Sequence, residues 1–288
     1  MLLETFKSFL WIALELTILF VVISFIISLI QGYIPYEKIE KKLVGTNKLL
    51  AAFIALSFAF ITPFCSCSTI PIVVNMLKKK LPFDIVMIFL FASPVLDPTI
   101  LTIMGVILGW KVTLIYTVLT AFFSTLIGFA LGALGFERSI KNVVMSGYDQ
   151  THKKFNLKLA FKETRDLMKS VYPYLIIGAA VGALIHGTVP TEWISTVFGS
   201  ESWWLVPIAA IIGIPLYTRL SSMIPISQVL IAKGVALGPV MAMMISSAGA
   251  SLPEVILLKT IFKTELVITF VLSVTIMSTI SGFIFYLL

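Results

Sequence analysis

A chain of 288 residues with 59% hydrophobic and only 12% charged residues, at a mean hydropathy of +1.05, is not a soluble globular domain, because such domains are about a quarter charged. The net charge of +7 does not indicate nucleic acid, since Lys and Arg gather in short segments between long apolar runs, the pattern of cytoplasmic loops facing anionic lipid. Two cysteines one residue apart exclude a disulfide framework, and no Gly-x-x-x-x-Gly-Lys-Ser/Thr motif provides for a nucleotide.

What remains is an all-α integral membrane protein with lipid as its partner. The apolar runs are long enough to span as helices and lack the alternation of barrel strands. Phe9 to Ile30 predicts a first span, too long for a signal-peptide core, and Tyr36 to Leu43 a short interfacial helix. Leu49 to Thr62 enters the membrane and is expected to break at Thr62-Pro63-Phe64-Cys65-Ser66-Cys67-Ser68-Thr69-Ile70-Pro71, where prolines flank both cysteines. Ile70 to Leu77 then leaves the membrane onto Lys78-Lys79-Lys80. Phe83 to Ser93 is apolar, Ser93-Pro94-Val95-Leu96-Asp97-Pro98 is a second break, Thr99 to Gly109 continues, and Val112 to Leu134 is a full span. The hydrophilic stretch from Glu137 to Lys169 reads as a cytoplasmic linker.

The second half resembles the first. Ile30-Gln31-Gly32-Tyr33-Ile34-Pro35 reappears as Ile185-His186-Gly187-Thr188-Val189-Pro190, and Ser124 to Phe129 as Ser278 to Phe283. Pro63 and Pro71 correspond to Pro215 and Pro225, and Asp97-Pro98 falls opposite Pro253-Glu254. The segment after the first span carries Lys38, Lys41, Lys42 and Lys48. Its counterpart, Gly187 to Trp203, carries Glu192 and Glu201 and no basic residue. The positive-inside rule then predicts opposite orientations for the two copies, although Lys233 argues mildly against it. The expected architecture is two inverted-topology repeats, residues 1–135 and 170–288, joined by a basic linker at 136–169. Their broken and re-entrant helices are expected to meet at the bilayer midplane, within a multi-pass plasma-membrane protein.

Irregular backbone at membrane depth survives only where protein buries it or water reaches it. That makes Pro63, Cys65, Ser66, Cys67 and Ser68 the first candidate substrate site; the other reading is small residues packing closely around tolerated kinks. Thiolates favour soft species such as copper(I), zinc and trivalent arsenic, and exchange with sulfur compounds. Two Cys do not complete a zinc site, and the only histidines are His152 and His186, so no resident metal or cofactor is expected. In the second copy the matching element contains Tyr217 and Arg219. Arg219 is read either as counter-ion to an anionic substrate or thiolate, or as a charge that snorkels or pairs with Asp97 or Glu254. Asp97 suits a helix N-cap and Glu254 a helix start after proline; the other reading is a protonatable pair. Ser93, Ser246 and Ser247 flank the breaks and would either bind a ligand or pack helices. Asp84 reads as interfacial, and Met241, Met243 and Met244 as gap-filling core.

At Pro63-Phe64-Cys65-Ser66-Cys67-Ser68, with Ser93-Pro94 and Asp97-Pro98, the chain resembles the predicted-permease family of the YraQ and ArsP type. The resemblance covers nearly the whole chain. Some members are organoarsenical efflux permeases, which implies Cys65 and Cys67 as ligands of a thiophilic solute. The expected function is a secondary transporter for a small thiophilic solute, a trivalent organoarsenical or a sulfur compound, and not an enzyme. A membrane thiol redox enzyme or a channel are the alternatives, and a homo-oligomer stays open.

Overall fold

The computed structural model describes residues 47–61, 66–78, 81–141, 203–215 and 235–288, with a few single positions besides. The expected first span, the interfacial helix and most of the linker lie outside these residues, as do Lys233 and the loop from Gly187 into residue 202. The described chain is helical: α1 (Lys48–Ile61), α2 (Ser66–Lys78), α3 (Phe83–Ala92), α4 (Pro98–Ile107), α5 (Trp110–Ala133), α6 (Leu205–Gly213), α7 (Leu237–Gly249), α8 (Leu252–Ile261) and α9 (Thr264–Tyr286). A 3-10 turn, Phe136–Ser139, follows α5. Among the described residues there is no strand, only an isolated antiparallel bridge between Ile140 and Phe262.

The helix boundaries repeat. α3 and α7 begin at Phe83 and Leu237, α4 and α8 at Pro98 and Leu252, α5 and α9 at Trp110 and Thr264, each pair 154 residues apart. The same interval relates the outward apolar stripes. Leu114, Val118, Phe122 and Leu126 are exposed on α5, and Ile268, Leu272, Ile276 and Ile280 on α9. Residues four apart lie on one helix face, and an exposed apolar face of this extent suits lipid rather than water. By length and composition α5, α9 and the run Leu237–Ile261 are apolar enough to cross a membrane.

α3, apart from Asp84, and nearly all of α7 are buried, so each forms the axis of its half. Close approach requires small residues on the neighbouring helices. A Cβ on Gly128 of α5 would lie 2.4 Å from Ile88 Cγ1 and 3.0 Å from the Asp84 carbonyl oxygen. Farther along α5, the Tyr116 hydroxyl donates to the Val95 carbonyl at 3.1 Å, and Trp110 packs over Gly105. Moving from Asp84 to Gly105 therefore moves back along α5, so α3, the break and α4 run end to end as one interrupted rod antiparallel to α5. Gly238 lies against Gly282 and Tyr286, and Gly249 against Val274, which gives α7 the same relation to α9.

The two long helices are themselves antiparallel. Lys141 N–H donates to Ile261 O at 2.9 Å and Lys263 N–H to Ser139 O at 2.8 Å, which ties the end of α5 to the start of α9. Two apolar cores result, and each draws on both copies. One combines α1, α2 and α3 with Leu257 and Leu258 of α8, Phe270 of α9, and Leu131. The other combines α6, α7, Met223, Ile224 and Leu230 with Leu101 and Met104 of α4, Tyr116 of α5, and Phe285. Tyr116 and Phe270, Met104 and Leu258, and Leu131 and Phe285 exchange places between the cores at the 154-residue interval.

Charge separates the two ends. Lys78, Arg138, Lys141, Lys259 and Lys263 lie at the end where α5 finishes, with Asp84, Glu137 and Glu265; the other end carries Lys111 and the exposed Trp110, Trp203 and Trp204. Asp84 is half-buried at the rim, in keeping with an interfacial position.

Replacing Gly128 with Leu should overpack the α3–α5 seam and cost about 1–3 kcal/mol, read as a lower melting temperature in detergent. Val118→Leu on the exposed stripe should leave it unchanged.

Candidate functional site

At the first break the amides turn back onto their own chain. The amides of Ser93, Val95 and Leu96 donate to Phe89 O at 2.9 Å and to Ala92 O at 3.1 and 2.9 Å. The Asp97 carboxylate accepts from Thr99 N–H at 2.8 Å, an N-cap followed by proline at the first helical position. Pro94 and Pro98 have no amide to satisfy, so prolines stand where the interruption has few acceptors to offer. Tyr116 supplies the donor for the Val95 carbonyl. Capping, one of the two readings of Asp97, is thus its structural role.

Side chains from other elements close on this break. Ser93 is fully buried, and its hydroxyl lies 3.2 Å from the Thr69 hydroxyl in the first turns of α2. The second break, Ala250-Ser251, is also buried. A Cβ on Gly249 would come within 3.9 Å of Val95 Cγ2. Val95 and Gly249 are themselves 154 residues apart, so corresponding points of the two copies meet. α8 leaves the second break, packs on α2 and runs toward the same lysine-rich end. Three half-helices, α2, α4 and α8, thus begin around one buried region.

The residues singled out from the sequence fall into three groups. Pro63, Cys65, Tyr217 and Arg219 lie outside the described residues. Ser66, Cys67 and Ser68 form the first turn of α2, by backbone. Pro71 does not bound the break as expected but lies inside α2, since a membrane helix tolerates proline when neighbours take up the freed groups. Residue 71 therefore cannot give the Cys67 carbonyl its usual helical donor. Ser246 and Ser247 are buried and donate to Met243 O and Met244 O within α7, each at 3.1 Å. α6 comes so close at Gly213 that a Cβ there would lie 2.0 Å from Ser246 Oγ, which makes Ser246 a packing residue. Met241, Met243 and Met244 are core, as expected.

Asp97 and Glu254 do not occupy matching positions. Asp97 is the cap before α4 and its counterpart is Ser251; Glu254 is the third residue of α8 and its counterpart is Ile100. Glu254 is fully buried. Sequence reasoning missed Tyr116 and the pairing of Thr69 with Ser93, since the partners are distant in the chain; a tyrosine inside an otherwise apolar span was the available signal. Among the described residues no group of three His, Cys, Asp or Glu gathers to hold a metal.

Long apolar helices with exposed apolar stripes define a helical polytopic membrane protein. The chain belongs to the family described as "Predicted permease", ArsP_1, which it matches over residues 1–287. It is 28% identical to a putative two-component membrane permease complex subunit of Streptococcus mutans, over 84% of this chain and 79% of that one. It is 22% identical to a UPF0718 protein of Methanocaldococcus jannaschii over 83% of each chain. With the UPF0718 protein YraQ of Escherichia coli it shares 23% identity over 83% of this chain and 68% of that one. No solved structure matches. Membership of that family makes the protein a membrane permease.

Two substitutions test the break. Asp97→Ala should cost about 0.5–2 kcal/mol of stability and Asp97→Asn only a few tenths. Tyr116→Phe, which copies Phe270, should cost about 1 kcal/mol by leaving the Val95 carbonyl without its donor. Thermal melts of the purified protein measure both.

Proposed function

We propose that the protein is a secondary transporter in which two inverted-topology repeats meet at the bilayer midplane. It carries a small thiophilic solute, a trivalent organoarsenical or a sulfur compound, through a site that includes Cys65 and Cys67. The observation that carries this reading is the position of α2. The helix that holds Cys67 starts beside the first break, through Thr69 and Ser93, and packs against the half-helix of the other copy.

The constant 154-residue interval and the antiparallel α5 and α9 support inversion, because an axis in the membrane plane turns each long helix end over end. A re-entrant pair is supported by the contact of Phe58 with Phe89, whose rings are 5.3 Å apart. An α1 running straight on into α2 would carry Phe58 roughly 16 Å from Thr69, away from Phe89. A hairpin brings the two rings together. At 14 residues, α1 is about 21 Å long, short of the ~30 Å hydrocarbon thickness. The lysine-rich end is assigned to the cytoplasm, with the linker, and the tryptophan-rich end to the outer interface of the plasma membrane.

Transport in this reading is rocking of one copy against the other about the shared breaks. Everted vesicles from cells expressing the protein test it with methylarsonous acid and thiosulfate as probes. Cys65→Ser/Cys67→Ser should reduce uptake to the level of vesicles lacking the protein, with expression and melting temperature unchanged. Undiminished uptake by that variant contradicts a role for the thiols. A disulfide trapped during turnover would favour the redox carrier instead.

A further inference from the structure

We propose that Glu254 is the proton-binding residue that couples transport to the proton gradient, an inference that rests on the transporter reading above. Among the described residues it is the one charged side chain that is fully buried. Asp97 is partly exposed and engaged as a cap, and Asp84, Glu137 and Glu265 lie toward the lysine-rich end.

The internal repeat supplies a control for the alternative that Glu254 only suits the helix start. Its counterpart in α4 is Ile100, at the same third position of a helix of the same length, after a break of the same kind. An isoleucine suffices there beside the Asp97 cap, so packing at this third helical position does not require a carboxyl. Burying an ionisable group carries a desolvation cost that an apolar residue avoids, and such groups inside membranes mark ion and proton paths.

Its placement suits that role. Glu254, Leu257, Leu258 and Ile261 form the buried stripe of α8, and α8 packs on α2, where Ile70 and Val73 enter the same core. The carboxyl thus lies near the second break, on the helix that joins it to the cysteine-bearing helix. Among the described residues, the other titratable or charged groups on the packed elements are Cys67 and Lys78 of α2, Lys259 of α8, Lys263 and Glu265 at the start of α9, and Tyr286 at its end. All but Cys67 and Tyr286 belong to the lysine-rich end. The proposed step is proton exchange alone: the carboxylate takes up one proton from water on one side and releases it on the other as the copies rock.

The test uses the full-length protein in lipid nanodiscs and in proteoliposomes. Difference infrared spectra between low and high pH should show a protonated-carboxyl band in wild type that is missing from Glu254→Gln. Glu254→Ile, which copies the other repeat, should also lack the band, and it keeps the test open should the glutamine variant not fold. In proteoliposomes, one pH unit should raise accumulation of methylarsonous acid about tenfold for one proton per solute. Either variant should lose that increase and retain exchange at equal pH. A spectrum unchanged by both substitutions, or gradient-driven accumulation that survives them, overturns the proposal. Cys65→Ser/Cys67→Ser should keep the band while losing transport. A wild-type band without transport of either probe would therefore count against the thiophilic solute and leave the proton site standing.

Discussion

A helix interrupted inside a bilayer frees peptide groups that lipid cannot satisfy, and the rest of this structure follows from where those groups go. At the first break the answer is local for the amides, which turn back to Phe89 and Ala92. It is tertiary for the Val95 carbonyl, which depends on Tyr116 one helix away. The other copy adds to the cover: Gly249 packs tightly on Val274 and lies within contact distance of Val95. The two breaks thus lie against each other.

This mutual covering explains why neither half keeps its own core. Each copy lends a half-helix and part of a long helix to the other, with Met104 and Leu258 as the corresponding buried residues. The likeness of the copies also makes their differences informative. The cysteine-bearing helix of the first copy starts beside one break, and the buried carboxyl follows the other break in the second copy. The proposed solute and proton sites are thus contributed by opposite halves and brought together by the contact of α8 with α2.

Much of this was legible in the residues. The apolar run ending at Ser93, the Asp-Pro pair and the run from Val112 to Leu134 correspond to α3, the capped start of α4, and α5. Periodicity and capping chemistry act within one turn, so they can be read along the chain. The pairing of Asp97 with Glu254 went astray because it aligned Pro98 with Pro253, which sit at the first and second positions of their helices; the structure aligns helix starts instead. Pro71 was expected to bound the break, but membrane helices accommodate proline more readily than soluble ones. The exchange of core residues was not legible, since a pattern of apolar positions names the buried face of a helix but not the helix that covers it. Thr69 and Tyr116 act through partners 24 and 21 residues away, beyond the reach of any local pattern.

The meeting of the two breaks can be measured directly. Cysteines placed at Val95 and Gly249, with Cys65 and Cys67 replaced by Ser, are oxidised in membranes with a permeant oxidant, and the linker is then cut by protease at an introduced site. If corresponding points of the two copies touch, the halves stay joined on a non-reducing gel and separate on reduction. Halves that separate without reductant, while the uncleaved protein remains folded, would contradict the account at its centre.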